Sequence, residues 1–163
     1  SKGQIGAQSI NFKLVSLGSW LNMTIESLKG MAHAKGVILL EDYNGQEKIF
    51  CDPNMMTVVI RNLIQNAIKF SPAGKQITFK ARKLKEVFWF EIQDEGIGID
   101  ADKIPNLFSG QTESELGTSA EKGTGFGLMI VKQYVDLHQG RMEVQSIKGQ
   151  GSTFSLSIPH RPR

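Results

Sequence analysis

The sequence predicts an α+β fold, in which helices cover one face of a β-sheet and the other face lies nearer solvent. Two patterns of apolar residues support this prediction. A long segment after Asp52 repeats apolar residues at helical spacing, whereas residues 77–82 and 153–158 alternate apolar and polar side chains as strands do. Because 163 residues fit one domain and can bury a substantial core, we expect residues 1–163 to form a single domain.

The first third of the chain is predicted to contain three strands and one helix. A short strand near residues 10–14 precedes a helix from about residue 16 to residue 34. Strands follow at about residues 37–42 and 48–51, and the turn signal Tyr43-Asn44-Gly45 joins them. The apolar stripe expected to pack the helix into the core consists of Leu17, Trp20, Leu21, Leu28 and Met31.

A second helix is predicted to begin behind Asp52-Pro53, a capping residue followed by a proline, and to end near residue 70. Another side of this helix carries Asn62, Asn66 and Lys69, spaced four and three residues apart. This polar trio is either a solvated helix face or a ligand site, because amide oxygens can join a Mg²⁺ shell and amide NH₂ groups can donate to phosphate. The buried stripe of the helix is expected to include Ile60, Leu63, Ile64 and Ala67.

A strand over residues 87–93 is predicted to end at Asp94 and to lead into the turn Gly96-Ile97-Gly98. The carboxylate of Asp94 has two interpretations. It can cap the turn, or it can accept a hydrogen bond from the exocyclic amine of adenine. Guanine presents a carbonyl oxygen at the same position, so the second interpretation predicts a preference for adenine over guanine.

A glycine-rich segment, residues 123–128 (GTGFGL), opens a third predicted helix that directs Leu128, Val131 and Val135 toward the core. Glycines let a backbone approach phosphates closely, and a helix N-terminus offers free N–H groups and the positive end of its dipole. The chain then predicts a β-hairpin, with strands over residues 142–147 and 153–158 and a glycine-containing turn between them.

These motifs, in this order, resemble those of the sensor histidine kinases. Residues 62–71 (NLIQNAIKFS) resemble the N box, 94–98 (DEGIG) the G1 box, 104–108 (IPNLF) a shortened F box and 123–128 the G2 box. The resemblance implies the Bergerat fold, a two-layer α/β sandwich with a mixed, mainly antiparallel sheet of about five strands against about three helices. It also implies an ATP lid at about residues 100–124, whose polar part is expected to be mobile without ligand.

The same resemblance implies a role for each site residue. Asn66 is expected to bind Mg²⁺, Asn62 and Lys69 to lie near the phosphates as the catalytic pair, and Asp94 to bind adenine. The other residues expected at ATP are Gly96, Gly98, Ile99, Phe108, Lys122, Gly123, Thr124, Gly125, Gly127 and Leu128.

Asn62 also bears on the type of reaction. Relatives that hydrolyse ATP, such as type II topoisomerases and mismatch-repair proteins, place a glutamate four residues before the metal asparagine. An amide cannot take a proton from water, so Asn62 favours phosphate transfer to a protein side chain over hydrolysis. Because no acceptor sequence resembling the family's surrounds His33, His138 or His160, we expect the acceptor histidine on a separate dimerisation domain of a larger kinase.

Composition limits the other classes of function. The net charge of +3 is small and the basic residues are mostly scattered, so no nucleic-acid partner is expected. A single cysteine, Cys51, excludes an internal disulfide and fits a reducing cytoplasm, where we expect the domain to act. We expect the isolated domain to be a monomer, the parent kinase a homodimer, and a response regulator to act downstream. The alternative is an ATP-binding interaction module that transfers no phosphate.

Overall fold

The structure is a computed structural model that describes residues 9–110, 117–119, 121, 123 and 126–161. No helix in these ranges is long and apolar enough to cross a membrane. A short 3₁₀ turn lies at Ile104–Asn106. The main elements in chain order are β1 (Lys13–Ser16), α1 (Leu17–Ala34), β2 (Ile38–Asp42), β3 (Lys48–Cys51), α2 (Pro53–Lys69), β4 (Gln76–Lys83), β5 (Val87–Asp94), α3 (Gly127–Leu137), β6 (Arg141–Ile147) and β7 (Gly151–Pro159).

Five strands form one mixed sheet in the order β2-β4-β5-β7-β6. Strand β2 pairs with β4 in parallel, and the other three pairings are antiparallel. This sheet and the three helices confirm the predicted α+β sandwich. A second, two-stranded sheet joins β1 to β3.

The sequence correctly predicted the strands β2 and β3 and the turn between them, in which the N–H of Glu47 donates to the carbonyl of Asn44 at 3.1 Å, but the two strands do not form a hairpin. They lie in different sheets, because β2 pairs with β4 and β3 pairs with β1. The connection between them binds the start of α1 instead. Gly45 accepts a hydrogen bond from the N–H of Gly18 at 2.8 Å, and Glu47 accepts one from the N–H of Leu17 at 2.9 Å. The loop therefore supplies acceptors for N–H groups that have no partner inside the helix.

Two further expectations in this region need correction. Strand β1 lies at Lys13–Ser16 rather than near residues 10–14, because pairing with β3 sets its register, with Lys13 opposite Cys51. Met31 is 44% exposed and does not belong to the buried stripe of α1. The stripe continues through Leu28 to Ala32, four residues on, so it turns away from Met31.

Helix α2 packs its apolar face into the main core, as its pattern predicted. Asp52 caps the helix, since its Oδ1 accepts hydrogen bonds from the N–H groups of Asn54 and Met55, both at 3.1 Å. The sheet contributes an aromatic cluster in which Phe79 and Phe90 stack with ring centroids 6.3 Å apart. The buried core residues of α2 are Met55, Met56, Val59, Ile60, Leu63, Ile64, Ala67 and Ile68.

His138, which follows α3, connects that helix to the start of α2. The ring is only 1% exposed, and its Nε2 accepts a hydrogen bond from the N–H of Asp52 at 3.0 Å. The proton must therefore sit on Nδ1, which donates to the carbonyl of Tyr134 at 2.7 Å. Burial lowers the pKa of His138, although the Tyr134 hydrogen bond and the charge of Asp52 act in the opposite direction. The ring of Phe12 also packs against the ring of His138, in a T-shaped arrangement.

We predict that this histidine lowers the free energy of unfolding as the pH falls from about 7.5 to about 5.5. In the unfolded chain the imidazole binds a proton near its ordinary pKa of 6.5, whereas the lowered pKa in the folded chain delays protonation to lower pH. The unfolded state therefore binds more protons in this window, and the loss is at most about 1.4 kcal/mol per pH unit. Denaturant unfolding at several pH values measures it.

His138→Gln removes the titrating group and should flatten this pH dependence. His33→Gln changes an exposed histidine on α1 and is the matched control, whose pH profile should follow the wild type. If His138→Gln keeps the wild-type slope, other groups cause the loss in acid.

Candidate functional site

The predicted site residues come together where four parts of the fold meet. These parts are the end of β5, the C-terminal half of α2, the turn between β6 and β7, and the start of α3. Asp94 is the last residue of β5, and residues 95–99 leave the sheet from there. The C-terminal end of α2 meets this loop directly, because the N–H of Ile97 donates to the carbonyl of Phe70 at 3.1 Å.

The carboxylate of Asp94 is buried, with 7% of the residue exposed. Its Oδ1 accepts two backbone hydrogen bonds, from Gly96 at 2.8 Å and from Ser152 at 3.2 Å. The first of these is the turn cap that the sequence predicted as one interpretation. Within the described residues no group binds Oδ2, so this oxygen is left to accept a hydrogen bond from a ligand. Burial raises the pKa of Asp94, and the two N–H groups oppose that rise.

Two glycines let the loop after Asp94 approach its neighbours. A side chain at Gly96 would collide with the carbonyl oxygen of Phe70. Gly98 has a φ of +73°, and a side chain there would collide with the carbonyl of Ile147. The close approach that these residues allow here is to the backbone of the protein. Their contact with an adenine base stays a prediction.

The polar face of α2 lies beside the start of α3. Asn62, Asn66 and Lys69 are all half-buried rather than fully solvated. The NH₂ group of Asn62 donates to the carbonyl of Val58 at 2.8 Å, which fixes its amide. A Cβ at Gly127 would lie 2.6 Å from Oδ1 of Asn62, so glycine lets α3 begin close to α2.

Lys69 ends α2, and its ammonium lies over the ring of Phe70, 5.1 Å from the centroid. Its carbonyl accepts hydrogen bonds from the N–H of Thr118 and from Nζ of Lys35, each at 2.9 Å. Lys35 also pairs with Glu121 at 2.7 Å. Within the predicted lid, Thr118 therefore contacts the C-terminal end of α2 directly, and Glu121 is connected to it through Lys35.

The end of the predicted F box packs on the core through Leu107 and Phe108, and Gly110 lies next to α3. Phe108 meets Phe154 edge to face, with ring centroids 6.3 Å apart. Gly110 has a φ of +75°, and a Cβ there would lie 2.6 Å from Sδ of Met129. Ile99 and Leu128 are half-buried and pack on the core. Phe108 thus has a structural role, and its predicted contact with ATP stays a prediction.

Three of the predicted ATP-binding residues, Lys122, Thr124 and Gly125, lie outside the described residues, and Gly123 is exposed. Helix α3 begins with no side-chain cap and no acidic residue in its first turn. Its first N–H groups therefore suit an anion such as phosphate.

The chemistry of the described residues fits a Mg²⁺ ion that is shared with phosphates. They contain no group of three or more His, Cys, Asp or Glu side chains that could hold a metal by itself. Mg²⁺ needs few protein ligands when phosphate oxygens and water complete its shell, and an amide oxygen, such as the one that Asn66 carries, is a suitable type of ligand. The assignment of Asn66 to the metal stays a prediction.

Sequence analysis missed three residues that position the site. Ser152 supports Asp94, Ser146 joins the loop after Asp94 to the β6–β7 hairpin, and Lys35 binds the end of α2. The two serines face each other across β6 and β7, next to the predicted glycine turn. The register of this predicted hairpin is the signal that could have identified the two serines as neighbours. No local pattern identifies Lys35.

Comparison with known proteins identifies the family. Residues 51–162 match the family described as "Histidine kinase-, DNA gyrase B-, and HSP90-like ATPase". The chain belongs to this family. Among curated relatives, the circadian input-output histidine kinase CikA of Synechocystis is 32% identical over 99% of this chain. The autoinducer 2 sensor kinase/phosphatase LuxQ of Vibrio parahaemolyticus is 35% identical over 86% of it. The chain spans 22% and 17% of the lengths of these two relatives.

Solved structures confirm the fold of this histidine kinase-like ATPase domain. The catalytic domain of histidine kinase ThkA superposes with a TM-score of 0.81, covering 93% of this chain and 99% of that one at 19% identity. Full-length ShkA in complex with AMPPNP superposes with a TM-score of 0.79, covering 96% of this chain and 33% of that one at 24% identity.

We predict that Asp94→Asn stabilises the domain at neutral pH. The raised pKa means that ionised Asp94 costs stability once the pH exceeds its folded pKa, so the cost is present at pH 7 and relieved in acid. Asparagine keeps an Oδ1 for the two N–H groups but carries no charge. The free energy of unfolding should rise by about 0.5–1 kcal/mol, which denaturant unfolding measures.

Glu95→Gln is the matched control, because it neutralises the adjacent, exposed carboxylate. Its effect should stay within about 0.5 kcal/mol. A clear loss of stability in Asp94→Asn would mean that the negative charge itself is needed to hold the turn.

Proposed function

We propose that this domain binds Mg²⁺-ATP and donates the γ-phosphate to a histidine on a separate dimerisation domain of a sensor histidine kinase. The single observation that carries the adenine assignment is the buried carboxylate of Asp94, whose Oδ2 has no partner among the described residues. Family membership supports ATP as the nucleotide. The curated relatives CikA and LuxQ, which are named as kinases, support the transfer.

The proposed adenine site has the right polarity for its ligand. Oδ2 of Asp94 is an acceptor, and the exocyclic amine of adenine is a donor. Loop residues 96–99 are hydrogen-bonded to the end of α2 and to the β6–β7 hairpin, so the groups around Asp94 are fixed in position. A fixed acceptor in a buried place discriminates strongly, because an unsuitable base leaves it unpaired.

The proposed phosphate site combines α2 with the start of α3. Lys69 offsets phosphate charge, Asn66 contributes an amide oxygen to Mg²⁺, and the N-terminus of α3 offers N–H groups. A bound Mg²⁺ would neutralise part of the phosphate charge. Asn62 lies against Gly127, so it joins the two helices at this point.

The proposed reaction is transfer rather than hydrolysis. An acceptor nitrogen attacks the γ-phosphorus in line, the bond to the β–γ bridging oxygen breaks, and ADP leaves. Asn62 cannot act as a general base for water, which favours an acceptor from another domain. None of the three histidines suits this task here. His138 is buried, and both of its ring nitrogens are hydrogen-bonded to backbone groups. His160 Nε2 lies 2.6 Å from the carbonyl of Leu84, at the far end of the sheet strands from Asp94, and His33 is exposed on α1.

The remaining parts of the proposal concern the parent protein. We expect it to be a homodimer that acts in the cytoplasm and passes phosphate to a response regulator, with the isolated domain a monomer. The chain covers only 22% of CikA and 17% of LuxQ, so both relatives contain long regions that it does not match.

We predict that the domain binds ATP at least about a hundredfold more tightly than GTP. The guanine carbonyl would face Oδ2 of Asp94, and the lost hydrogen bond together with the unpaired acceptor costs about 3 kcal/mol. Calorimetry with both nucleotides, with and without Mg²⁺, measures the preference. Asp94→Asn should lose it, whereas Glu95→Gln should keep it. Equal affinities for ATP and GTP in the wild type would refute the adenine assignment.

We also predict that labelled ATP leaves the isolated chain unlabelled and labels an added dimerisation domain on histidine. The label should be acid-labile, as phosphohistidine is, and little free phosphate should form. Asn66→Ala should reduce transfer by at least about tenfold, because a metal ligand is lost.

Gln65→Ala is the matched control on the same helix, and it should transfer normally. Strong self-labelling on histidine would contradict a separate acceptor. Tight ATP binding without any transfer to supplied acceptor domains would favour the interaction module instead.

A further inference from the structure

We propose that Ser146 is a positioning residue that sets the affinity and selectivity of the site for adenine. This inference deepens the proposed function and rests on it. Ser146 lies on β6, the edge strand, two strands away from Asp94 on β5. Its hydroxyl nevertheless connects to the carboxylate of Asp94 through a short series of hydrogen bonds.

The connection follows a row of residues across three strands. Asp94 on β5 lies opposite Ser152 on β7, and Ser152 lies opposite Ser146 on β6. The N–H of Ser152 donates to Oδ1 of Asp94 at 3.2 Å. The hydroxyls of Ser152 and Ser146 are 2.7 Å apart. Ser146 is thus the outer end of a row that begins at the buried carboxylate.

Ser146 also binds the loop that leaves Asp94. The N–H of Ile99 donates to its Oγ at 2.8 Å. The loop of residues 95–99 therefore leaves β5 and is held by a hydrogen bond to β6, on the far side of β7. The N–H of Gly149 adds a second bond, to the carbonyl of Ile97 at 2.7 Å. Of these two hydrogen bonds, the one to Ser146 involves a side chain, so it can be removed by substitution without altering the backbone.

The directions of the hydroxyl protons follow from their neighbours. Ser146 lies 3.0 Å from the carbonyl of Gly151, which can only accept, so Ser146 donates there. Its oxygen then accepts from Ile99 and from the hydroxyl of Ser152. The hydroxyl of Ser146 thus makes three hydrogen bonds, one as donor and two as acceptor. No other atom of the residue can replace this oxygen.

Loss of the hydroxyl would act on the adenine end of the site. Without it, the half-buried N–H of Ile99 has no acceptor, and the loop shifts or loosens to find one. Binding must then restore the loop beside Asp94. Since the phosphate end is unchanged, ATP and ADP should lose affinity by the same factor.

The test measures binding of ATP, ADP and GTP by calorimetry to the wild type and to Ser146→Ala. We expect the variant to bind ATP and ADP about tenfold more weakly, and the ratio of ATP to GTP affinity to fall. Hydrogen exchange at the Ile99 amide should be faster in the variant. Ser155→Ala is the matched control, because it removes a hydroxyl from the neighbouring strand, and it should behave as wild type.

A second pair of variants guards against a general loss of folding. Ser146→Thr keeps the hydroxyl and Ser146→Val replaces it by a methyl group of similar shape, and an edge strand accepts both. Threonine should restore binding and selectivity, and valine should not. Equal binding by the Thr and Val variants, or wild-type binding and selectivity in Ser146→Ala, would overturn the role of Ser146 and leave the proposed function standing. A wild-type chain that binds no adenine nucleotide would overturn the proposed function and this inference together.

Discussion

The rest of the site depends on keeping one carboxylate, that of Asp94, in a place with little exposure to water. Burial favours its protonated form, so the charge needs donors that cannot move away. The two donors are backbone N–H groups of Gly96 and Ser152, which belong to a loop and to a neighbouring strand. Both donors must be held in place to oppose the effect of burial on the carboxylate. The pairing of β5 with β7 and the geometry of the loop after Asp94 hold them there.

The glycines meet that requirement by letting separate elements come close. Gly96 lies against the carbonyl of Phe70, and Gly98 lies against that of Ile147. Gly127 plays the same part between α3 and Asn62. In the sequence these glycines suggest a backbone that approaches a base or phosphate. In the structure the same property also brings the walls of the site together, so a substitution would displace the walls before any ligand arrived.

Sequence patterns located those parts of the site that depend on local spacing. The cap at Asp52, the buried face of α2 and the end of β5 at Asp94 all follow from neighbouring residues. The pairing of β2 with β4 does not, because it brings together strands that are far apart in the chain, and the turn signal after β2 does not say which strand β2 pairs with. Ser146 was missed for the same reason. Its role appears only when the register places it two strands from Asp94.

The two ends of the site are built differently, and this difference suits the proposed reaction. At the proposed adenine end, backbone groups, the buried Ser152 and the half-buried Ser146 hold Asp94 and the loop that follows it, which would reduce the ordering that binding must supply. At the phosphate end, Lys35 uses its three hydrogens on the carbonyls of Ile68 and Lys69 and on the carboxylate of Glu121. Two of these contacts are with backbone carbonyls at the end of α2, and the third, with Glu121, is the one that reaches the predicted lid, so this ion pair can break and reform while Lys35 stays on the helix. The proposed transfer reaction needs a firm hold on the base and a phosphate end that opens to an acceptor, and this difference between the two ends would suit both needs.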